Sequence, residues 1–198
     1  MKKWERTHHN IIARAAPLFN QRGFSGTSLQ DIMEATGLRK GGIYSHFENK
    51  EQLAEAAFEY SCQLMEERMR EFLSRVPRTA TDQLQAVVEA FATVAFDPPV
   101  AGGCAMLNTA VESDDAYPAL KQKVRYSMDA WMALVQKIVS RGIERQELSP
   151  ETDGAEVATL LISTLEGALM LSKLYDDFRH MERAVAHLRS FIQTLANK

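Results

Sequence analysis

Residues 27–50 read TSLQDIMEATGLRKGGIYSHFENK. Ser28 stands where a helix N-cap belongs, and Asp31 three positions on completes a capping-box pair. Ile32, Met33 and Ala35 give this helix an apolar side. Gly37 follows Thr36 where a residue of positive φ ends a helix, and Leu38 anchors the turn. A second short helix carries Arg39 to Phe47. Ile43 and Phe47, four apart, face inward, which leaves Arg39, Lys40, Gly42, Ser45 and His46 facing outward. Helix, tight turn and helix follow in 21 residues, and this arrangement decides how the rest of the chain is read.

The second helix is unusual for a packing element. Two cations open it and Gly41 and Gly42 follow at once. Each glycine costs a helix about 1 kcal/mol relative to alanine. The pair makes sense where another surface must approach the backbone. The major groove of DNA is such a surface, and the second helix of a helix-turn-helix enters it.

The pattern T-S-L-x-D-I-x-x-x-x-G-L-x-K-G-x-I-Y-x-H-F-x-x-K-E-x-L, within a match from about Ile12 to Leu53, resembles the N-terminal signature of TetR-family transcriptional regulators. The resemblance implies a ligand-responsive homodimeric repressor that binds a palindromic double-stranded DNA operator and is released by a small-molecule inducer. Backbone amides near Thr27 and Ser28, with Tyr44 and Lys50, would hold phosphates. Tyr44 could equally be a packed core tyrosine and Lys50 a solvated cation. Arg39, Lys40, Gly41, Gly42, Ser45 and His46 would meet the groove, with Arg39 or Lys40 reading guanine. The family often has Ser or Thr where this chain has Arg39, and Arg39 cannot cap the helix in that way.

Charge agrees with a DNA-facing head. Residues 1–50 hold eight Lys/Arg and four Asp/Glu, a balance of +4. The remaining 15 Lys/Arg (23 − 8) and 22 Asp/Glu (26 − 4) give −7. A basic head on an acidic body suits DNA binding, although a solvated surface has the same look. We therefore expect a helix-turn-helix domain at 1–50 and a helical ligand-binding and dimerisation domain at 51–198, all-α, with about nine helices.

Upstream, Trp4 to Arg22 reads as a helix through Ile11, Ile12, Ala15, Leu18 and Phe19. Gly23 falls just past its end, and Pro17 inside it predicts a local kink. His8 and His9 read as exposed. Downstream, Asn49 caps a long fourth helix with Gln52 at the capping-box position. Its stripe is Phe58, Cys62, Met65, Met69 and Phe72. Pro77 ends it, and 78–81 connect to a fifth helix over 82–96. Gly102-Gly103 leads into a short sixth helix from Cys104 to about Glu112. Glu112, Asp114 and Asp115 form an acidic cluster that suits a solvated loop or a cation. A seventh helix spans 119–145. Ser149-Pro150 resembles the start of an eighth, 151–175, and the ninth covers 179–196. No strand pattern is present.

The eighth helix is apolar nearly all round and must be covered on all sides. With Gly167 allowing close approach, helices 8 and 9 predict a homodimer interface. The body is rich in Phe91, Phe96, Met106, Trp131, Met132, Leu165 and Met170. Such side chains suit an apolar or aromatic ligand or ordinary packing. The resemblance implies an inducer pocket among helices 5 to 8, to which Asn108, Thr109 and Glu166 would add polar contacts.

No phosphate loop, dinucleotide fingerprint, nucleophile elbow or zinc motif is found, so neither catalysis nor cofactor nor metal is expected. No run of about 20 apolar residues predicts a membrane span. The N-terminus lacks a signal-peptide core, which predicts a cytoplasmic protein. Two cysteines, Cys62 and Cys104, suggest reduced thiols. Cys104 at a helix start is either a buried small hydrophobe or the trigger of a redox- or electrophile-sensing repressor. An orphan helical enzyme is the remaining alternative.

Overall fold

The computed structural model describes residues 2–74, 79–113 and 117–197. Nine helices are present among them: α1 Lys3–Gly26, α2 Leu29–Thr36, α3 Lys40–Tyr44, α4 Lys50–Leu73, α5 Ala80–Phe96, α6 Ala105–Ser113, α7 Pro118–Glu144, α8 Gly154–Leu174 and α9 Arg179–Thr194. No strand occurs among the described residues; one isolated antiparallel bridge joins Leu148 and Ala196. Pro77, Arg78, Asp114 and Asp115, used above to end one helix and to form an acidic cluster, lie outside the described residues.

The chain packs as two compact units. One comprises residues 1–65 and 98–126, the other residues 66–97 and 127–198. The N-terminal unit thus contains α6 as well as the three leading helices. Its core gathers Ile11, Ala15, Ile32, Ile43, Phe47 and Leu53, all 3% exposed or less. Five of these are inward positions of α1 to α4, spaced by the 3.6-residue repeat, and Phe47 lies between α3 and α4. α1 breaks where glycine was expected to end it: Gly23 adopts φ 75° and ψ 172°, and is the one non-helical residue inside the element. Backbone angles stay helical through Pro17.

In the C-terminal unit α9 packs against α8 and α5. Leu84, Val88, Leu161, Leu165, Leu188 and Ile192 are 2% exposed or less. Burying each such side chain contributes about 1.5–3 kcal/mol. α7 approaches the start of α5 so closely that a Cβ on Gly142 would lie 2.5 Å from the Ala80 methyl.

The eighth helix begins later than the sequence suggested. Asp153 is its N-cap, its side chain accepting from the amides of Ala155 and Glu156. Ser149-Pro150 instead opens a turn: Ser149 N–H donates to Leu195 C=O at 3.0 Å and Ser149 C=O accepts from Thr152 N–H at 3.1 Å. The Ser-Pro pair imitates a helix start, but the tie to the C-terminal segment takes it. By length and composition α8 could cross a membrane, contrary to the sequence expectation, and 44% of its apolar window is buried inside the protein. Two of its carboxylates, Glu156 and Glu166, fall within the helix, as does Lys173.

Candidate nucleic-acid interface

α2 and α3 form the helix-turn-helix. Ser28 caps α2, accepting from Asp31 N–H, and Asp31 accepts from Ser28 N–H in return. The hydrogen bonds from Ser28, and next the nearby Arg22 guanidinium, hold the Asp31 carboxyl below its usual range. Arg22 pairs with Asp31 at 2.6 Å. Gly37 ends α2 in the left-handed conformation, φ 71°. Arg39 then stands at the N-cap of α3 with no side-chain capping bond.

Arg39, Lys40 and Gly41 are exposed, whereas Ile43 and Phe47 are buried. Gly41 and Gly42 are not required by this chain's own geometry. Neither has positive φ. A Cβ on Gly41 would meet nothing within 4 Å, and one on Gly42 only Leu38 at 3.6 Å, an ordinary contact. Tyr44 is half-buried with the Lys40 ammonium 5.8 Å from its ring centre. Ser45 Oγ donates to Gly42 C=O at 2.9 Å and so closes its own helix.

Four expected contact groups are placed differently. The amides of Thr27 and Ser28 are already used, by Phe24 C=O at 3.4 Å and Asp31 Oδ2 at 2.8 Å. The Thr27 side chain is buried, its hydroxyl donating to Gly23 C=O. Lys50 turns inward: its Nζ donates to Phe24 C=O at 2.7 Å and Thr27 C=O at 2.9 Å and lies 4.1 Å from the Phe24 ring centre. Carbonyls at the negative end of α1, beside an apolar ring, draw the ammonium away from solvent. His46 does not stand outward. It packs against Trp4 and His8, with ring centres 4.9 and 5.7 Å away.

His8 is therefore not an exposed histidine either. It stacks between Trp4 (5.0 Å) and Phe47 (4.6 Å). Burial first, then the charges of His46 and His9, lower its pKa from the ordinary 6.5. This stack was missed, although the four-residue spacing of Trp4 and His8 puts them on one helix face.

The joint between α1 and α2 is held by polar side chains that sequence reasoning did not assign. The Glu112 carboxylate accepts from Phe24 N–H at 2.6 Å and Ser25 N–H at 2.8 Å. It is thus a ligand of backbone amides. Asn20 Nδ2 donates to the carbonyls of Ala101 and Gly103. Asn108 Nδ2 donates to Asn20 C=O, Asn20 Oδ1 and Gly102 C=O, all at 2.9–3.0 Å. Asn108 therefore ties α6 to α1 and does not line a ligand pocket. No spacing rule connects groups 88 residues apart.

The eight ligand candidates are divided between the two units. Met106 and Thr109 belong to the N-terminal unit and the other six to the C-terminal one. Phe96 is 73% and Met170 53% exposed. Phe96 meets Phe178 edge-on at 5.1 Å. Leu165 is buried core, Met132 is half-buried, and Phe91 packs edge-on against Trp131 at 6.2 Å. Thr109 borders a cavity of about 20 Å³, room for one water-sized group. Trp131 borders a cleft of ligand size, about 330 Å³, with Glu66, Met69, Arg70, Leu73, Ala130 and Leu134. Glu166 is buried at 7% exposure on α8 and does not line that cleft. Cys104 is 3% exposed, which fits packing better than contact with a reagent. Among the described residues no group of three or more His, Cys, Asp or Glu side chains could hold a metal ion.

A capped helix, a glycine-closed turn and a cationic second helix, followed by a helical body, define a helix-turn-helix DNA-binding regulator. Comparisons agree along the whole chain. Residues 11–57 match the family described as bacterial regulatory proteins, tetR family, and residues 80–188 match the tetracyclin repressor-like C-terminal domain. A TetR transcriptional regulator from Chloroflexus aurantiacus J-10-FL is similar, at 43% identity over 99% of this chain and 98% of that one, with a TM-score of 0.95. A TetR-family regulator from Cytophaga hutchinsonii is 31% identical over 100% and 98%, with a TM-score of 0.91. The HTH-type transcriptional repressor NemR of Escherichia coli strain K12 is 25% identical over 96% of each chain. The chain belongs to the TetR family of transcriptional regulators. Members of this family are regulators and not enzymes.

Proposed function

We propose that this protein is a dimeric repressor that binds a palindromic operator through α3 and is released by a small apolar or aromatic ligand. The glycine pair carries the reading. Gly41 and Gly42 weaken α3, and neither backbone angles nor internal contacts call for them. Close approach of a duplex does call for them. The DNA face is Arg39, Lys40, Gly41, Gly42, Tyr44 and Ser45. Lys50 and His46 act inside the head, Lys50 on carbonyls and His46 in the aromatic stack. Arg39, uncapped and exposed, is the leading candidate for reading a base.

The dimer reading rests on α8. Leu160, Ser163, Gly167, Met170 and Leu174 recur at three- and four-residue intervals and none is buried. Leu160, Met170 and Leu174 are 39%, 53% and 68% exposed. A Cβ on Gly167 would meet nothing of its own chain within 4 Å. A second copy would cover this stripe, as an isologous interface requires. The ligand reading rests on the cleft beside Trp131, whose Arg70 and Glu66 would orient a polar end. α4 carries Met69 and Arg70 of that cleft and also Lys50, so a ligand there can bias the head through one continuous helix by population shift.

Selection from a random duplex pool tests the reading. Wild type should enrich a palindrome with two half-sites, and Arg39→Ala should relax one base in each, at a cost of about 1–3 kcal/mol there. Failure to enrich any sequence, or unchanged preference in the variant, refutes the assignment of α3.

A further inference from the structure

We infer that Glu112 is a positioning residue for operator binding: from α6 it holds the broken end of α1 and so sets the direction in which α2 and α3 are presented. The inference rests on the reading of α3 as the DNA-contacting helix. In an unbroken α-helix Phe24 N–H would donate to Asn20 C=O. Gly23, at φ 75° and ψ 172°, breaks that ladder. Both orphaned groups are met from α6. Asn20 C=O accepts from Asn108 Nδ2 at 3.0 Å, and Phe24 N–H donates to Glu112 Oε2 at 2.6 Å. Residues 108 and 112 are one helical turn apart and share a face.

Glu112 holds a second amide too, that of Ser25, at 2.8 Å. Glycine is needed at 23 for two reasons. Its φ is left-handed, and a Cβ there would come within 2.7–2.9 Å of the Glu112 carboxyl group. On the far side of the same segment Lys50 holds the carbonyls of Phe24 and Thr27. Ser25 Oγ lies 2.9 Å from the Tyr117 hydroxyl, and Phe24 meets the Tyr117 ring edge-on at 4.5 Å. The run from Phe24 to Thr27 is therefore gripped by an anion at its amides and a cation at its carbonyls. Ser28, which starts α2, follows directly.

Charge-assisted hydrogen bonds of this length are strong and steep in distance. A shift of α6 by about 1 Å would take both amide contacts beyond bonding range. With the contacts made, α2 and α3 are held ready and the cost of ordering them on DNA is avoided. Without them the segment between Gly23 and Ser28 loses its amide anchor. Glu112 does not touch DNA in this scheme. It carries negative charge into a basic head, so its removal should favour non-specific DNA contact while harming specific contact.

That opposition of sign is the test. The full chain is used as wild type, Glu112→Ala and Glu112→Gln, on an operator recovered by selection with wild type and on a scrambled duplex. Glu112→Ala should bind the operator about tenfold more weakly, the equivalent of one hydrogen bond to a charged group. The scrambled duplex should be bound no more weakly than by wild type. Amide hydrogen exchange at Phe24 and Ser25 should quicken. Glu112→Gln keeps one acceptor oxygen and should fall between the two in operator affinity. Operator affinity within twofold of wild type for both variants overturns the inference, as does equal loss on both duplexes, which would mark Glu112 as a mere fold-holding residue. If wild type enriches no operator, the α3 reading fails first and the inference falls with it. If Glu112→Ala unfolds, the folded Glu112→Gln still decides.

Discussion

The two units of this chain are held together by different forces. In the C-terminal unit α5, α8 and α9 meet through Leu84, Val88, Leu161, Leu165, Leu188 and Ile192. Apolar contact is non-directional and tolerates small slips. The N-terminal unit has an apolar core as well, but the joint between α1 and α2 is fastened by side chains on backbone groups: Asn20, Asn108, Glu112 and Lys50. These bonds are directional and fail over about an ångström. The difference teaches where the molecule is built to be stable and where it is built to be set. A regulator needs a permissive body and a head whose geometry has few settings.

The largest effect should come from the apolar side of that contrast. Leu161→Ala empties a fully buried site on α8 and should cost about 2–5 kcal/mol in denaturant unfolding. A cost below about 1 kcal/mol would mean that packing does not dominate that unit. Asn108→Ala attacks the polar joint. It strips a donor from the Asn20 carbonyl and the Asn20 side-chain oxygen, and leaving these part-buried acceptors without it should cost about 1–3 kcal/mol. Its signature should be faster amide exchange around α1 and α6, with α8 and α9 unchanged. Uniform acceleration across the chain would erase the contrast.

Lys50→Met sharpens it further. The Phe24 and Thr27 carbonyls would lose their cation, at a cost of about 1–2 kcal/mol in stability. The salt dependence of DNA binding should keep its slope, because two protein carbonyls already hold the Lys50 ammonium. A slope reduced by about one unit would restore Lys50 to the phosphate backbone.

The smallest effect concerns pH. His8 has its pKa lowered by burial and by neighbouring histidines. The unfolded chain then binds more protons than the folded one near and below pH 6.5, so stability rises with pH there and falls as pH drops through that range. His8→Gln should flatten this dependence when unfolding is followed at pH 5, 6 and 7. An unchanged pH profile would show that the stack of Trp4, His8, His46 and Phe47 does not couple to folding.

Much of the head was legible because its signals are local. The Ser28 and Asp31 box, the left-handed Gly37 and the inward pair Ile43 and Phe47 each lie within one helical turn of the residues that explain them. The order and number of helices followed from the same short-range periodicity. What failed was long-range. A lysine at a helix start reads as a phosphate contact until Phe24 and Thr27 are seen to hold it. Glu112 reads as one of a solvated acidic run until α1 is laid beside it. Ser149-Pro150 imitated a cap because its tie to Leu195 is invisible in sequence. The ligand residues were not legible for a different reason. Methionine and aromatic side chains fill cores and line pockets alike, so type and spacing cannot separate Leu165 in the core from Trp131 at a cleft.

Gly41 and Gly42 have a consequence for anyone who would engineer this protein. Alanine at either position should make the free molecule more stable, by up to about 1 kcal/mol each, since helix propensity rises and nothing within the chain is displaced. A screen for heat resistance would select such variants, and consensus repair of weak helices would recommend them. On the proposed reading, each added methyl would stand on the face that meets the groove. Here a higher melting temperature and a working regulator are opposed goals, and the helix is best left short of its own optimum.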